Sequence, residues 1–269
     1  MTADLLGEFL SSGRNATPMM NGNTPWAHAY AQHIKALVAR QAARAPRSQQ
    51  VHIGPSELGV ACDRQVVGKL VGEARTNHVI DPWPSVVGTA VHAWLADAFT
   101  ADDPQRWMTE HRVTPMDGHD GTADLYDVHE AAVDDHKVLG PSSLAKVKRP
   151  EGPPRHYQRQ LALYGLGYLR QGYPVRRIAL LAYPRTEGSL ANLYVWEHAF
   201  DDEVVGWLSD TMIETQRRKV LAGQVVAGTL ALADVPREPS HDECAFCPFY
   251  RPQAGHVPGL PGCPGTVAT

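Results

Sequence analysis

AAVDDHKVLG, residues 131–140, is the stretch on which the reading of the whole chain turns. A short apolar run, Ala131 to Val133, leads directly into two carboxylates, an imidazole and an ammonium. In a strand successive side chains alternate between faces, so Asp135 and Lys137 share one face while Asp134 and His136 occupy the other. Upstream, RWMTEHRVT (106–114) and GTADLYDVH (121–129) also read as strands. The turn residues of MDGHDG and the neighbourhood of His129 and Glu130 separate the three. Such a meander pairs GTADLYDVH with AAVDDHKV in antiparallel fashion and brings Asp124 beside Asp135. Two carboxylates at that distance repel, and each raises the pKa of the other unless a divalent cation such as Mg²⁺ or Mn²⁺ lies between them. A lysine next to such a cation can orient or deprotonate a water and stabilise negative charge developing on a phosphate. Spacing alone leaves two alternatives open: Asp134 in place of Asp135 as the ligand, and an exposed strand end whose charges are simply solvated.

Helical patterns surround the meander. WAHAYAQHIKALVARQAARAP carries Trp26, Tyr30, Ile34, Leu37 and Val38 at helical spacing and is stopped by Pro46. PSVVGTAVHAWLADAFT places Val87, Val91, Trp94, Leu95 and Ala98 on one face, with Ser85 as its expected cap and His92 within it. After the third strand a loop rich in Gly, Pro and Lys precedes the helix RHYQRQLALYGLGYLRQG. Gln160 and Tyr164 lie four apart on it and so project from one face. Strands over 176–184 and 190–200 follow, then a long helix from Asp201 with acidic residues at its positive dipole end. Residues 1–25 show no sustained period and read as a mobile arm or loosely docked segment.

A chain of 269 residues with 43% hydrophobic content supports one good core with extensions. The boundaries expected are an arm and helix over 1–50, a core over 51–235 that includes the Cys62 segment, and a small C-terminal structure over 236–269. A formal net charge of −4 excludes a uniformly basic protein, so any nucleic-acid contact must come from local patches. Lys146, Lys148, Arg149 and Arg155, and again Arg170, Arg176 and Arg177, supply two such patches. No stretch approaches the roughly 18 apolar residues of a membrane span. The start MTADLLGEFLSSG lacks the charged region and long apolar core of a secretion signal, so a cytoplasmic protein is expected. In that compartment four cysteines are expected to be reduced or metal-bound. ECAFCPF presents Cys244 and Cys247 at a C-x2-C spacing that offers two thiolates to one centre, with Cys263 further along a tail dense in Pro and Gly and Cys62 far upstream.

Taken in order, GTAVH ending at His92, GTADLYD with Asp124, DDHK with Asp135 and Lys137, and QLALY with Gln160 and Tyr164 resemble the PD-(D/E)xK nuclease superfamily. Within it they resemble the RecB-like branch that includes AddB-type and CRISPR-associated iron-sulfur exonucleases. The resemblance spans roughly residues 52 to 263. Ala123 stands where the superfamily's name has proline, and His136 fills a position often aromatic or aliphatic in relatives. The resemblance implies an α/β restriction-endonuclease-like core, a central mixed sheet flanked by helices, with a C-terminal cysteine-bound iron-sulfur cap. It implies that His92, Asp124, Asp135 and the main-chain carbonyl of His136 bind Mg²⁺ or Mn²⁺. Lys137 then assists the nucleophilic water, and Gln160 and Tyr164 lie near DNA and the active site. It also implies a [4Fe-4S] cluster on Cys62, Cys244, Cys247 and Cys263, although the gap before Cys263 is longer than is usual in the family; a structural zinc is the chemical rival. The function implied is metal-dependent hydrolysis of DNA phosphodiesters, as an exonuclease on single-stranded or frayed ends. The partners implied are DNA and proteins of recombination or CRISPR adaptation. The competing expectations are a non-catalytic DNA-binding subunit of such a complex and, more distantly, a zinc-stabilised interaction protein.

Overall fold

The structure is a computed structural model that describes residues 23–45, 53–77, 81–238, 244–257 and 259–265. The N-terminal arm expected from the sequence falls largely on residues 1–22, outside the described residues. Contacts divide the chain into two units. One comprises Met1–Val51, Gly72–Val86 and Arg237–Thr269, and the other His52–Val71 and Val87–Pro236. Among the described residues no helix is long and apolar enough to cross a membrane.

In the larger unit five strands form one mixed sheet in the order β1-β2-β3-β4-β5. They are β1 (Trp107–Val113), β2 (Gly121–Asp127), β3 (Ala132–Leu139), β4 (Arg177–Pro184) and β5 (Tyr194–Ala199). The first three form the expected antiparallel meander. β3 and β4 are parallel, and β4 and β5 antiparallel. A parallel neighbour requires a crossover rather than a hairpin. That crossover is made by two helices, here numbered in chain order after α1 (Pro25–Arg44), α2 (Pro55–Leu58), α3 (Asp63–Leu70) and α4 (Trp83–Asp102): α5 (Pro141–Val147) and α6 (Arg155–Arg170). The closing helix is α7 (Asp202–Val226).

α5 lies in what the sequence presents as a plain loop; Gly140 followed by Pro141 at the first helical position starts it. Ser85 is not the cap of α4, because the helix begins at Trp83. There the Asp81 carboxylate accepts the Trp83 N–H at 2.9 Å.

β3 is buried on both faces over Ala132 to His136, as the centre of a covered sheet must be. On one face α6 packs Leu161, Tyr164 and Tyr168 into a core with Tyr126, Val133, Ile178 and Leu180. The close approach of α6 depends on glycine, since a Cβ at Gly167 would lie 2.7 Å from Val113 Cβ. On the other face α4 lays Phe99 against Trp107 and His136, with ring centroids 4.9 and 5.7 Å apart. Ion pairs and hydrogen bonds tie α7 to α6, to the start of α3 and to the segment before it. Glu214 accepts from Arg159 and Arg155, and buried Arg218 donates to Asp63 at 2.9 Å and to the carbonyls of Leu58, Val60 and Ala61.

The smaller unit is held by hydrogen bonds. The N–H groups of Thr76 and Asn77 both donate to the Pro248 carbonyl at 2.9 Å, and the Asn77 side chain donates to the Ala245 and Cys247 carbonyls. Cys263 N–H donates to the Phe249 carbonyl at 2.7 Å, and Tyr250 and Cys263 form a single parallel bridge. Among the described residues the clusters of buried apolar side chains all lie in the larger unit.

Candidate active site

The register of the meander decides which acidic residues meet. Leu125 pairs with Asp134 across β2 and β3, so the next step sets Asp124 opposite Asp135. Asp134 belongs to the other face, between Leu125 and Ala179. Burial, then the charge of Asp127, pushes the Asp134 carboxyl up to about 7. It is therefore Asp135 that shares a face with Lys137. The two form an ion pair, and Asp135 is only 1% exposed.

From α6, Gln160 Nε2 donates to Asp135 Oδ1 at 3.1 Å and to the Tyr164 hydroxyl at 3.2 Å. Tyr164 is itself part of the apolar core. From α4, His92 Nδ1 lies 3.4 Å from Asp124 Oδ1. The main-chain N–H of His136 donates to Asp124 Oδ2 at 2.8 Å. The His136 ring packs between His92, Phe99 and Tyr183. The Lys137 ammonium stands 5.2 Å from the Tyr157 ring centroid.

These contacts split the two carboxylates. Burial raises the pKa of Asp124, but its bond to His92, the charges of Lys137 and His92 and the His136 N–H outweigh burial and hold it below the ordinary 3.8. Burial raises Asp135 further than Lys137 can lower it, and the neighbouring Asp124 adds to the rise. Burial would lower Lys137, yet Asp135 and Asp124 raise it above 10.5, so it stays an ammonium. His92 follows the same balance: burial lowers it, and Asp124 lifts it above 6.5. Burial takes His136 down to about 4, so its ring is neutral at pH 7.

One residue absent from the sequence expectations joins the group. Ligand atoms of His92, Glu110 and Asp124 all lie within 4.8 Å of one another, the only such group of three or more among the described residues. An imidazole nitrogen and carboxylate oxygens are the donors Mg²⁺ and Mn²⁺ take, so the residues present fit such an ion. The one sequence signal for Glu110 is its place on β1, and the loop between β1 and β2 leaves the pairing partner of Glu110 open.

Of the cysteines, Cys62 precedes α3 in the larger unit, and Cys244, Cys247 and Cys263 lie in the smaller one. Cys247 N–H donates to the Cys244 carbonyl at 3.0 Å, which closes the C-x2-C turn. A tetrahedral zinc with Zn–S bonds of about 2.3 Å would hold sulfurs roughly 3.8 Å apart. The sulfurs of Cys244, Cys247 and Cys263 do not all come within 4.8 Å of one another. Two of the expected basic residues are used internally: Arg155 pairs with Glu214, and Arg170 donates to the Pro115 carbonyl at 2.8 Å.

No family model matches the chain, and no curated protein does. Among solved structures the chain is similar to an alkaline exonuclease (LHK-Exo) from Laribacter hongkongensis, at 8% identity over 66% of this chain and 93% of that one, with a TM-score of 0.48. It is similar to SSO0001 at 17% identity over 84% of this chain and 96% of that one, TM-score 0.45. A phage-related exonuclease from Haemophilus somnus 129PT is a further likeness, at 11% identity over 62% of this chain and 82% of that one, TM-score 0.41.

Proposed function

We propose that the larger unit is a divalent-metal-dependent nuclease that hydrolyses DNA phosphodiesters. The observation that carries this reading is the Asp135–Lys137 ion pair set abreast of the His92–Asp124 pair on adjacent strands. Paired carboxylates, an imidazole and a buried ammonium form a constellation suited to phosphodiester hydrolysis. Mg²⁺ or Mn²⁺ held by His92, Asp124, Asp135 and the His136 carbonyl would lower the pKa of water and offset charge on the scissile phosphate. Lys137, kept protonated by Asp135 and Asp124, donates to a phosphate oxygen or to the attacking water rather than accepting its proton. Gln160 fixes the rotamer of Asp135 through Oδ1, and Tyr164 fixes Gln160 in turn. A binding-only subunit would leave a buried, doubly bonded Asp135 with no task.

Exonuclease action on single-stranded or frayed ends, and service to recombination or CRISPR adaptation, belong to the same proposal through the resemblance to RecB-like nucleases. So does the [4Fe-4S] cluster on Cys62, Cys244, Cys247 and Cys263. Its support is the resemblance together with a C-x2-C pair, Cys244 and Cys247, in a unit ordered by hydrogen bonds; the sulfurs of the C-terminal cysteines are not clustered in the structure. Matched linear and circular DNAs, single- and double-stranded, incubated with Mg²⁺ or Mn²⁺ test the mode. Linear single strands are expected to be shortened from an end while circles persist. Nicked circles would replace the exonuclease reading with an endonuclease one.

A further inference from the structure

Glu110 lies midway along β1 between the pairs Thr109↔Leu125 and His111↔Ala123, directly opposite Asp124. Asp124 lies one residue beyond the last β2–β3 pair, Leu125↔Asp134, on the side of Asp135, whose carboxylate it repels. Like charges directly opposite on neighbouring strands are destabilising. Asp135 is relieved by Lys137 and Gln160. On the β1 side, Glu110 and Asp124 meet the ring of His92 from a different element, α4, with all three ligand atoms within 4.8 Å. Glu110 reaches this place from a left-handed backbone, with φ at 49°, which a non-glycine residue in a strand rarely adopts.

We propose that Glu110 is a direct ligand of the divalent cation, completing with His92 and Asp124 a three-residue side-chain set on the β1 side of Asp124. On the β3 side Asp135, held in place by Lys137 and Gln160, remains a ligand of the same ion. The proposal rests on the metal-binding part of the function proposed above and not on DNA cleavage. With Asp135 and the His136 carbonyl the cation then has three carboxylates, one carbonyl and one imidazole, a set that takes Mn²⁺ at least as readily as Mg²⁺.

The test is Mn²⁺ binding by isothermal titration calorimetry to metal-stripped protein, for the parent, Glu110→Gln and Glu110→Gly, with unfolding temperatures recorded in chelator. Glycine accepts a left-handed φ without cost, so Glu110→Gly removes the carboxylate while easing the backbone. Both variants are expected to bind Mn²⁺ about tenfold more weakly or worse. Glu110→Gly should unfold at or above the parent's temperature in chelator. Unchanged Mn²⁺ affinity in both variants overturns the proposal, and so does a parent that binds no Mn²⁺. A parent that binds Mn²⁺ through Glu110 but leaves DNA intact upholds this inference and removes the nuclease reading alone.

Discussion

Asp124 and Asp135 are neighbours across one strand boundary, yet their surroundings drive their proton affinities apart, and each difference traces to a named partner. His92 and the His136 N–H keep Asp124 ionised; burial raises Asp135, and Lys137 answers it only in part. In metal-free protein, Asp124→Asn removes the charge that lifts His92. Burial and Lys137 remain, so the His92 pKa should fall from above 6.5 to below it, as an NMR titration of the ring would show. An unchanged His92 titration would mean that Asp124 is not its partner. Lys137→Met should lower single-turnover cleavage by roughly 10²- to 10³-fold, the scale of losing one donor to developing charge. Mn²⁺ affinity should change far less, and equal losses in both would make the role of Lys137 structural. The alternation of Asp135 and Lys137 was legible in the sequence because period two needs no tertiary information. Glu110 was not, since its meaning depends on the register across the β1–β2 turn.

Helix α6 brings Gln160 to Asp135 and is fastened by Glu214. An alanine at Gly167 would gain helix propensity worth about 1 kcal/mol. Its Cβ would also meet Val113 Cβ at 2.7 Å, on a fully buried strand residue that cannot swing away. Packing should win, and Gly167→Ala should lower stability by about 1–3 kcal/mol in denaturant unfolding; a more stable variant would contradict the packing. Glu214 is raised by burial, but Arg159 and Arg155 hold it below the ordinary 4.5. Its stabilising contribution is therefore complete above pH 4.5 and is lost as pH falls below that value. Glu214→Gln should unfold more readily at pH 7 and lose less stability than the parent between pH 5 and pH 3. The long elements were legible from periodicity. α5 was hidden by its brevity and its Gly, Pro and Lys content, and the start of α4 depended on Asp81 rather than the expected Ser85.

At the scale of the molecule, a sheet-centred unit with a packed core carries the candidate active site, and three cysteines lie in a second unit ordered by backbone hydrogen bonds. The C-x2-C motif was plain in the sequence, but the role of remote Cys62 is a long-range property that local patterns do not encode. Protein purified without oxygen should contain about four irons per chain and absorb broadly in the visible range as iron-thiolate clusters do. Colourless protein with one zinc and no iron would reject the cluster. If the Asp124–Asp135 pair works a divalent cation on DNA, cleavage of end-labelled single-stranded DNA in Mn²⁺ by the parent, Asp124→Ala and Asp135→Ala reports it. Cleavage by the parent that chelator stops is expected, with a loss of at least roughly 10³-fold in both folded variants. Full activity in Asp135→Ala, or parent cleavage that persists in chelator, would contradict it.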